Sequence, residues 1–375
     1  MNNGKSSDRS PPPNPALGQR PGLAHATLIV LGLAIGLGSA EVLLRLLDSE
    51  DNVRTTAALD IYAPSECCGL ALKPDLSRAT FWNGKKVYIE TDNEGRRVPR
   101  DHVTDADPTR LQIVFCGDSY TFGNEENAVD TFPYLVGRQS ARRTVNLGVG
   151  SYSTFQEVSS LANHLRLHGG DSIDRVFLCF FVGNDFTDNL PEREQLEIDG
   201  QGRIRLGRSM ASDWLRQLVY DSRLLSTVVL RLRTAYLNLN YRFTNSSRPS
   251  LYAATFYSDN VVDHTRRALQ RFRDLCAAHD LDAAVLIIPD KDQVYKPFAR
   301  DQDRHRPNRV LQELLEELEI PHVDALPQFL SSSKVESEPL YNMTQAGHLS
   351  VRGHRVVAQM LLDFEQHLRP KAGRD

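Results

Sequence analysis

The stretch that decides the fold is LQIVFCGDS, residues 111–119, in which an apolar run ends at Gly117-Asp118-Ser119. A strand that is buried on both faces of a parallel sheet reads as an almost unbroken apolar run. In open α/β sheets, ligands bind in the crevice outside the carboxyl ends of the strands. The sequence therefore predicts a buried parallel strand over residues 111–116 that carries the Ser119 hydroxyl to this edge of the sheet.

Strand and helix patterns alternate along the rest of the chain. Further strands are predicted over residues 144–147, 175–182, 283–288 and 322–323. Helical patterns lie near residues 130–140, 154–168, 260–279 and 308–318, and a last one begins at Val351. Repeated strand–helix units imply a parallel sheet with right-handed crossovers and helices on both faces. The predicted fold class is therefore α/β, with a flavodoxin-like, doubly wound parallel sheet.

An insertion interrupts this alternation over about residues 189–250. It carries apolar residues at helical spacing, namely Trp214, Leu215, Leu218, Val219, Leu224, Leu225, Val228 and Val229. Such a stripe is typical of a helix that packs on a core, and the alternatives are a lid or a surface that faces a membrane. We predict the core-packed arrangement, and the sequence leaves the role of the insertion open.

The N-terminal region divides into two segments of opposite character. Residues 1–22 form a polar, proline-rich leader, whereas residues 23–47 are apolar apart from Glu41 and Arg45 near the far end. A membrane-spanning helix needs about 20 mostly apolar residues, which the second segment supplies. Basic residues precede this segment and acidic residues follow it, so the positive-inside rule places the leader in the cytoplasm. We predict a single-pass signal anchor in the inner membrane, with the rest of the chain on the periplasmic side.

Two other interpretations of the segment 23–47 stay open. One is a secretory signal that is cleaved at Gly38-Ser39-Ala40, and the other is a buried helix of a soluble domain. The long leader and the apolar continuation Val42-Leu43-Leu44 favour an uncleaved anchor. Beyond the anchor, residues 51–108 are polar with short strand-like pieces and are predicted to form a small β-rich lead-in, so the α/β domain takes residues 109–370.

Composition narrows the possible function classes. The chain has 375 residues, of which 41% are hydrophobic, and a formal net charge of -4, so it can bury a full core but offers no basic surface for nucleic acid. It lacks the glycine-rich phosphate-binding motifs of nucleotide enzymes and the His-Glu-x-x-His motif of zinc proteases. We expect no nucleic-acid partner, no cofactor and no metal.

The five cysteines are too few and too scattered for a disulfide scaffold. Two of them, Cys116 and Cys179, fall in predicted core strands, where small apolar thiols are common. The adjacent pair Cys67-Cys68 suits neither a normal disulfide within the pair nor a metal site without further ligands. A bridge from one of them to Cys276 stays open.

Four short blocks follow one another through the α/β region, at residues 117–123, 146–154, 183–185 and 347–354. In this order they resemble the blocks of the SGNH/GDSL hydrolase superfamily, and the resemblance covers roughly residues 112–366. The predicted anchor and β-rich lead-in make the chain similar to membrane-anchored bacterial members of that group. The resemblance implies the SGNH hydrolase fold and a serine hydrolase activity.

The resemblance also implies roles for particular residues. Ser119 would be the nucleophile, and His348 would be the base that takes its proton. The oxyanion of the intermediate would be stabilised by the backbone N–H of Ser119, a backbone N–H of the second block and the side-chain amide of Asn184. We assign the second-block donor to Ser151, where the family usually has glycine, with Gly150 as its neighbour. A serine can donate this N–H if its backbone adopts the required angles.

One position departs from the family pattern. The family places an aspartate two or three residues before the histidine, whereas this chain has Gln345 and Ala346 there. That acid normally fixes the tautomer of the imidazole and stabilises the imidazolium. The sequence therefore predicts a Ser119–His348 dyad whose orienting group is unidentified, with three carboxylates as candidates, Glu336, Glu338 and Asp290.

Single residues of these blocks also have ordinary structural interpretations. Ser119 alone would suit a helix cap, Asn184 a turn and His348 a loop. The four blocks in family order favour the catalytic interpretation of all three. We expect Asp118 to hydrogen-bond within its own loop, and His354 to be structural because it begins a helix with an apolar face.

The resulting functional hypothesis is a membrane-anchored, externally facing serine esterase that acts through an acyl-serine intermediate. Export of the domain makes O-acyl esters of envelope or extracellular carbohydrate the expected substrates, with acetyl esters first and lipid esters next. One alternative is an O-acyltransferase of the same fold. Another is a catalytically weakened protein that binds glycan or assists envelope assembly, which the missing aspartate favours. A third is a cytosolic enzyme with an unrelated N-terminal helix.

Overall fold

The computed structural model describes most of the chain between Pro21 and His367. The described residues are 21–47, 61–82, 85–100, 111–191, 197–198, 204–205, 222, 224–225, 227–229, 232, 235–236, 249–298, 302–335, 337–343 and 347–367. Nearly all of the predicted leader, most of the insertion and the positions Glu336, Gln345 and Ala346 lie outside them.

A long apolar helix, α1 (Pro21–Leu47), opens the described part of the chain. Its stretch Ala24–Leu46 has 23 residues and a mean hydropathy of 2.1, so it is long and apolar enough to cross a membrane. None of its most apolar window is buried inside the protein. This exposure disagrees with the alternative of a core helix in a soluble domain. At the far end, Arg45 Nε donates to Glu41 Oε1 over 2.7 Å.

The lead-in consists of two small antiparallel sheets. They are formed by β1 (Tyr62–Ser65) with β2 (Gly69–Leu72), and by β3 (Ser77–Trp82), β4 (Lys85–Thr91) and β5 (Arg97–Val98). Their buried side chains, among them Leu70 and Ile89, pack in one cluster with Phe122, Val149 and Tyr152. The lead-in therefore packs directly on two of the four sequence blocks.

A disulfide joins the neighbours Cys67 and Cys68 between β1 and β2. The expectation that their adjacency argues against a bond between them was therefore wrong. Cys276 is a buried free cysteine, so the bridge to it is not formed.

A parallel sheet of five strands forms the centre of the α/β domain. Its members in chain order are β6 (Gln112–Gly117), β7 (Thr144–Asn146), β8 (Ile173–Phe181), β11 (Asp282–Ile288) and β12 (His322–Asp324). The spatial order is β12-β11-β8-β6-β7, with every pairing parallel. This is the flavodoxin-like order, whose crevice opens between the first and third strands, here β6 and β8. The prediction of a doubly wound parallel sheet is confirmed.

Helices cover both faces of this sheet. In chain order they are α2 (Ser119–Phe122), α3 (Phe132–Ser140), α4 (Thr154–His168), α5 (Asp185–Asp188), α6 (Asp259–Ala278), α7 (Lys291–Tyr295), α8 (Arg306–Glu317), α9 (Leu326–Ser332) and α10 (Val351–His367). One face packs against α4, α6 and α8, and the other against α3, α9 and α10. Successive side chains of a strand point to opposite sides of the sheet. An almost continuous apolar strand therefore supplies apolar side chains to both faces.

Strand β8 shows this arrangement most clearly. Phe180 contributes to the cluster on one face, and Phe177 to the cluster on the other, both fully buried. Burial of such a side chain contributes about 1.5–3 kcal/mol, so the central strand alone accounts for a large apolar contribution to folding. The sheet is thereby a rigid support for the loops at its carboxyl edge.

The insertion contributes a short antiparallel pair, β9 (Glu197–Ile198) with β10 (Ile204–Arg205). Within its apolar stripe, Leu225, Val228 and Val229 are exposed, so the prediction of a core-packed stripe is wrong for these three residues. They are helical but do not join the clusters around the sheet. The stripe residues from Trp214 to Val219 lie outside the described part of the chain.

Candidate active site

Ser119 is the first residue of α2 and follows β6 after a single intervening residue, Asp118. Asp118 caps the helix, since its carboxylate accepts the Tyr120 N–H over 2.8 Å. A Cβ atom at Gly117 would come within 2.0 Å of Thr121 Oγ1, so only glycine allows the chain to turn this sharply. The turn lifts the Ser119 side chain out of the sheet at the β6 end of the crevice.

His348 lies 229 positions after Ser119, near the C-terminal end of the α/β domain, but contacts it in the fold. Its Nε2 lies 3.0 Å from Ser119 Oγ, a hydrogen-bond distance. The Tyr120 hydroxyl donates to Gly347 O over 3.1 Å, and Asn342 N donates to His348 O over 2.8 Å. The first of these bonds joins the residue before His348 to the residue after Ser119. The structure thus brings together the two residues that the sequence analysis paired.

Behind His348 lies a carboxylate that the sequence analysis did not consider, that of Glu125. Its Oε1 is 3.5 Å from His348 Nδ1, the ring nitrogen opposite the one that faces Ser119. The Glu125 side chain is only 5% exposed and the His348 side chain 12%. Contacts between catalytic groups are often this long in the absence of substrate. The hydroxyl of Ser119, the imidazole of His348 and the carboxylate of Glu125 therefore lie in a line.

The sequence analysis named Asp290, Glu336 and Glu338 as candidates to orient His348. Neither of the two that the structure describes, Asp290 and Glu338, lies at His348 Nδ1. The Asp290 carboxylate instead caps α7 and accepts the Asp292 N–H over 2.7 Å. Glu338 is exposed, and Glu336 lies outside the described residues. Spacing along the chain favoured acids near His348, whereas the fold brings one from the loop beside the nucleophile.

The loop of residues 122–126, which carries Glu125, is held by a cation of the lead-in. Arg97 of β5 donates to the carbonyl oxygens of Phe122, Gly123 and Glu126, over 2.5, 2.7 and 2.5 Å. The guanidinium is buried, and burial lowers its pKa to about 9. The Glu126 carboxylate pairs with Lys85. This support was missed from sequence, because nothing local to Arg97 indicates that β5 packs on that loop.

The second block is anchored to the same turn. Asn146 Nδ2 donates to Thr121 O over 2.9 Å, and the Gly148 N–H donates to Asn146 Oδ1 over 2.8 Å. A Cβ atom at Gly148 would lie 2.4 Å from the backbone nitrogen of Phe122. The backbone of the block therefore lies against the backbone of α2, which begins at Ser119.

Ser151, the predicted donor of this block, has a φ of 71°. This left-handed conformation favours glycine, which the family usually has at this position. Its neighbour Gly150 packs against the lead-in, because a Cβ atom there would lie 2.5 Å from the hydroxyl of Tyr62. The serine thus adopts a glycine-like backbone, the condition under which its N–H could take the donor role.

Asn184 follows β8 and so lies on the other side of the crevice. Its Nδ2 donates to Asp188 Oδ2 over 2.6 Å within the first turn of α5. The same amide also hydrogen-bonds the Asp118 carboxylate, in the turn just before Ser119. Asp185 has a structural role, since its buried carboxylate accepts the Phe181 N–H over 2.8 Å.

Asp118 directly precedes Ser119 and its carboxylate is part of the same cluster of polar groups. Its carboxylate is fully buried, and burial raises its pKa to about 6, although the Tyr120 N–H and nearby His348 act in the opposite direction. Its Oδ2 lies 3.5 Å from Ser119 Oγ. The expectation that Asp118 bonds within its own loop agrees with the contact to Tyr120. Around neutral pH, this carboxylate adds negative charge beneath His348.

His354 lies apart from these groups, near the start of α10. It is buried, and its Nδ1 accepts the Phe132 N–H at the start of α3 over 3.2 Å. Burial lowers its pKa to about 3, so the imidazole is neutral at physiological pH. This geometry agrees with the structural role expected from the sequence.

No family model matches the chain, and no curated protein matches it. Its fold is similar to a putative lipolytic protein of the G-D-S-L family from Desulfitobacterium hafniense, with 14% identity and a TM-score of 0.37 over 67% of this chain and 98% of that one. A lipase/acylhydrolase from Enterococcus faecalis gives 15% identity and a TM-score of 0.37 over 70% and 100% of the two chains. An acetyl xylan esterase from Geobacillus stearothermophilus gives 14% and 0.35 over 69% and 95%. Similarity at this level carries no activity or substrate over to this chain.

Proposed function

We propose that this chain is a serine esterase of the SGNH type, anchored in the inner membrane and facing the periplasm. The observation that supports this most is the line of three groups in the crevice, Ser119 Oγ at 3.0 Å from His348 Nε2 and Glu125 Oε1 at 3.5 Å from His348 Nδ1. A hydroxyl, an imidazole and a carboxylate in this order form the arrangement that activates a serine for acyl transfer.

In the proposed reaction, His348 removes the hydroxyl proton as Ser119 Oγ attacks the carbonyl carbon of an ester. The protonated imidazole then gives this proton to the alcohol oxygen, the C–O bond to the alcohol breaks, and acyl-Ser119 remains. Water attacks the acyl-enzyme in the second half, with His348 again taking the proton. The acid is released and the serine regains its hydrogen.

Three N–H groups would stabilise the negative charge on the carbonyl oxygen. They are the backbone N–H of Ser119, the backbone N–H of Ser151 and the side-chain amide of Asn184. The first comes from the end of β6, the second from the loop after β7 and the third from the end of β8, so the donors surround the crevice. Asp188 would hold the amide in place through its bond to Asn184 Nδ2.

Glu125 would act as a positioning residue. Its carboxylate faces Nδ1, so it favours the tautomer whose Nε2 is free to accept the serine proton. The alternative of a catalytically weakened binding protein depended on the missing aspartate before His348. A buried carboxylate at the same ring nitrogen removes the reason to prefer that alternative.

The substrate class follows from the predicted location. A domain tethered on the periplasmic side would meet O-acyl esters of envelope or extracellular carbohydrate, with acetyl esters first and lipid esters next. Helix α1 supports the tether, because its apolar surface is long enough to span a bilayer and is exposed.

Hydrolysis of p-nitrophenyl acetate and of acetylated oligosaccharides by the full-length chain tests the activity. We expect turnover by the wild type, and a loss of at least about 10³-fold in Ser119→Ala and in His348→Ala. Asp290→Asn, at a carboxylate that caps α7 instead of facing His348, is the matched control and should remain active. Equal rates for the wild type and folded Ser119→Ala would refute the proposal.

A further inference from the structure

Three side chains with metal-binding chemistry meet where the lead-in contacts α4. They are Glu94, in the turn before β5, and His164 and His168, in the last turns of α4. Their ligand atoms all lie within 4.8 Å of one another. We propose that Glu94, His164 and His168 form a binding site for a divalent transition metal of the zinc type. This site is separate from the serine and does not depend on the proposed esterase activity.

The placement of the two histidines follows from helical geometry. Residues four apart lie on one face of a helix, and the rings of His164 and His168 are 4.6 Å apart. Glu94 completes the set from another element, with its Oε2 at 2.7 Å from His168 Nε2. Zinc bonds of about 2.0–2.2 Å to nitrogen and oxygen require ligand atoms roughly 3.4 Å apart in a tetrahedral site. Only small side-chain movements separate the present arrangement from that geometry.

His164 supplies an independent observation. It is only 4% exposed, yet its Nε2 is buried and has no hydrogen-bond partner among the described residues. Buried polar atoms in proteins nearly always have a partner, so this one calls for an explanation. A metal ion shared with Glu94 and His168 would give this nitrogen its missing interaction.

The charges around the cluster also suit a cation. Arg96 is the nearby positive group, but it is matched by Asp92 at 2.7 Å and by the other oxygen of Glu94 at 3.1 Å. Two carboxylates against one guanidinium leave one net negative charge beside two imidazoles. In addition, His168 is the last residue of α4, and the C-terminus of a helix favours positive charge.

The position of the site indicates a structural role. It lies at the opposite end of α4 from Thr154, about 20 Å along the helix axis. A metal bound there would join the turn at Glu94 to α4 and so fix the lead-in on the α/β domain. Two histidines and one carboxylate would leave a fourth position for water. The sequence analysis expected no metal, and His-x-x-x-His on one helical face was the signal that it did not use.

Zinc binding to the full-length, tag-free chain in detergent tests this site. After treatment with a chelator and its removal, zinc is titrated by calorimetry, and the melting temperature is measured with and without zinc. We expect one high-affinity zinc per chain and a rise of the melting temperature by at least about 2–4 °C at saturation. Cobalt in place of zinc should give the visible absorption of a tetrahedral site.

The variants His168→Ala and Glu94→Gln should each weaken zinc binding by more than about tenfold and abolish the cobalt spectrum. His279→Ala, at an exposed histidine after α6, is the matched control and should bind like the wild type. Absence of zinc binding in the wild type would overturn the proposal, as would unchanged binding in both ligand variants. If His168→Ala does not fold, the zinc affinity of Glu94→Gln, a variant in the surface turn, still tests the proposal.

Discussion

Glu125 is the residue whose carboxylate faces the imidazole of His348. It has a φ of 73° and a buried side chain, an arrangement that costs on the order of 1–3 kcal/mol for a residue other than glycine. Conformations of this kind persist where surrounding contacts fix them, and Arg97 fixes this loop through three carbonyl oxygens. The result is a carboxylate that faces His348 from the loop after Ser119.

Replacement of this acid gives the first prediction. Glu125→Gln keeps the shape of the side chain but removes its charge, so the imidazolium formed during acyl transfer loses its partner. We expect kcat/KM to fall by about 10²–10⁴-fold, mainly through kcat, with a changed pH–rate profile. The same assay on Glu338→Gln, the exposed carboxylate that sequence spacing suggested, should give wild-type rates. A large loss in Glu338→Gln with none in Glu125→Gln would reverse the assignment.

Ser151 gives a second prediction at this scale, because its proposed role belongs to the backbone N–H. Ser151→Gly and Ser151→Ala both keep that N–H, and we expect both to keep activity. Ser151→Pro removes the donor and cannot adopt a positive φ, so kcat should fall by about 10²–10³-fold. Thermal melting of each variant separates lost catalysis from lost folding. An inactive, folded Ser151→Ala would instead assign the role to the hydroxyl.

At the scale of elements, His354 joins α10 to α3 through its bond from Phe132 N. The bond requires an unprotonated Nδ1, and the pKa of His354 lies near 3 in the folded chain against about 6.5 when unfolded. Between these values the unfolded state binds the extra proton, so stability falls as the pH drops below 6.5. The contact between these two helices should therefore weaken in acid.

Urea unfolding at several pH values measures this effect. For His354 alone, the free energy of unfolding should be about 2 kcal/mol lower at pH 5 than at pH 7.5. His354→Gln removes the titrating group, so its pH dependence should be flatter by that amount. The raised pKa of Asp118 acts with the opposite sign, but it is common to both proteins. An identical pH dependence in the two proteins would contradict this role of His354.

The order of the strands and helices could be predicted because hydrophobic periodicity depends only on residues that are close in sequence. The apolar runs predicted the five strands of the sheet, with β6 and β11 placed to within one or two residues of the observed Gln112–Gly117 and Asp282–Ile288. What periodicity could not predict is which side chains meet across long separations. Arg97 reaches the site only through the packing of the lead-in. Glu125 lies just after the first block, but nothing in the sequence indicates that it faces His348, 223 positions away.

At the scale of the whole molecule, one chain carries both the exposed apolar helix α1 and the crevice. We propose that this chain crosses the membrane once, through α1. Alkaline phosphatase, which needs the periplasm to be active, reports the side on which a fused terminus lies. Joined after residue 375, it should be active, and a cytoplasm-dependent fluorescent protein at that position should be dark, because the positive-inside rule places the leader in the cytoplasm. Membrane fractions should retain the protein after a salt wash. The opposite pattern of reporters would place the domain in the cytoplasm.

The most direct test of the central claim is labelling of the full-length chain with a fluorophosphonate, followed by peptide mass spectrometry. A serine becomes reactive toward such a probe when a base takes its proton within a prepared oxyanion site. We predict one adduct, on the peptide that contains Ser119, and strongly reduced labelling in folded His348→Ala. An unlabelled wild type, or an adduct that persists at full rate without His348, would contradict the account.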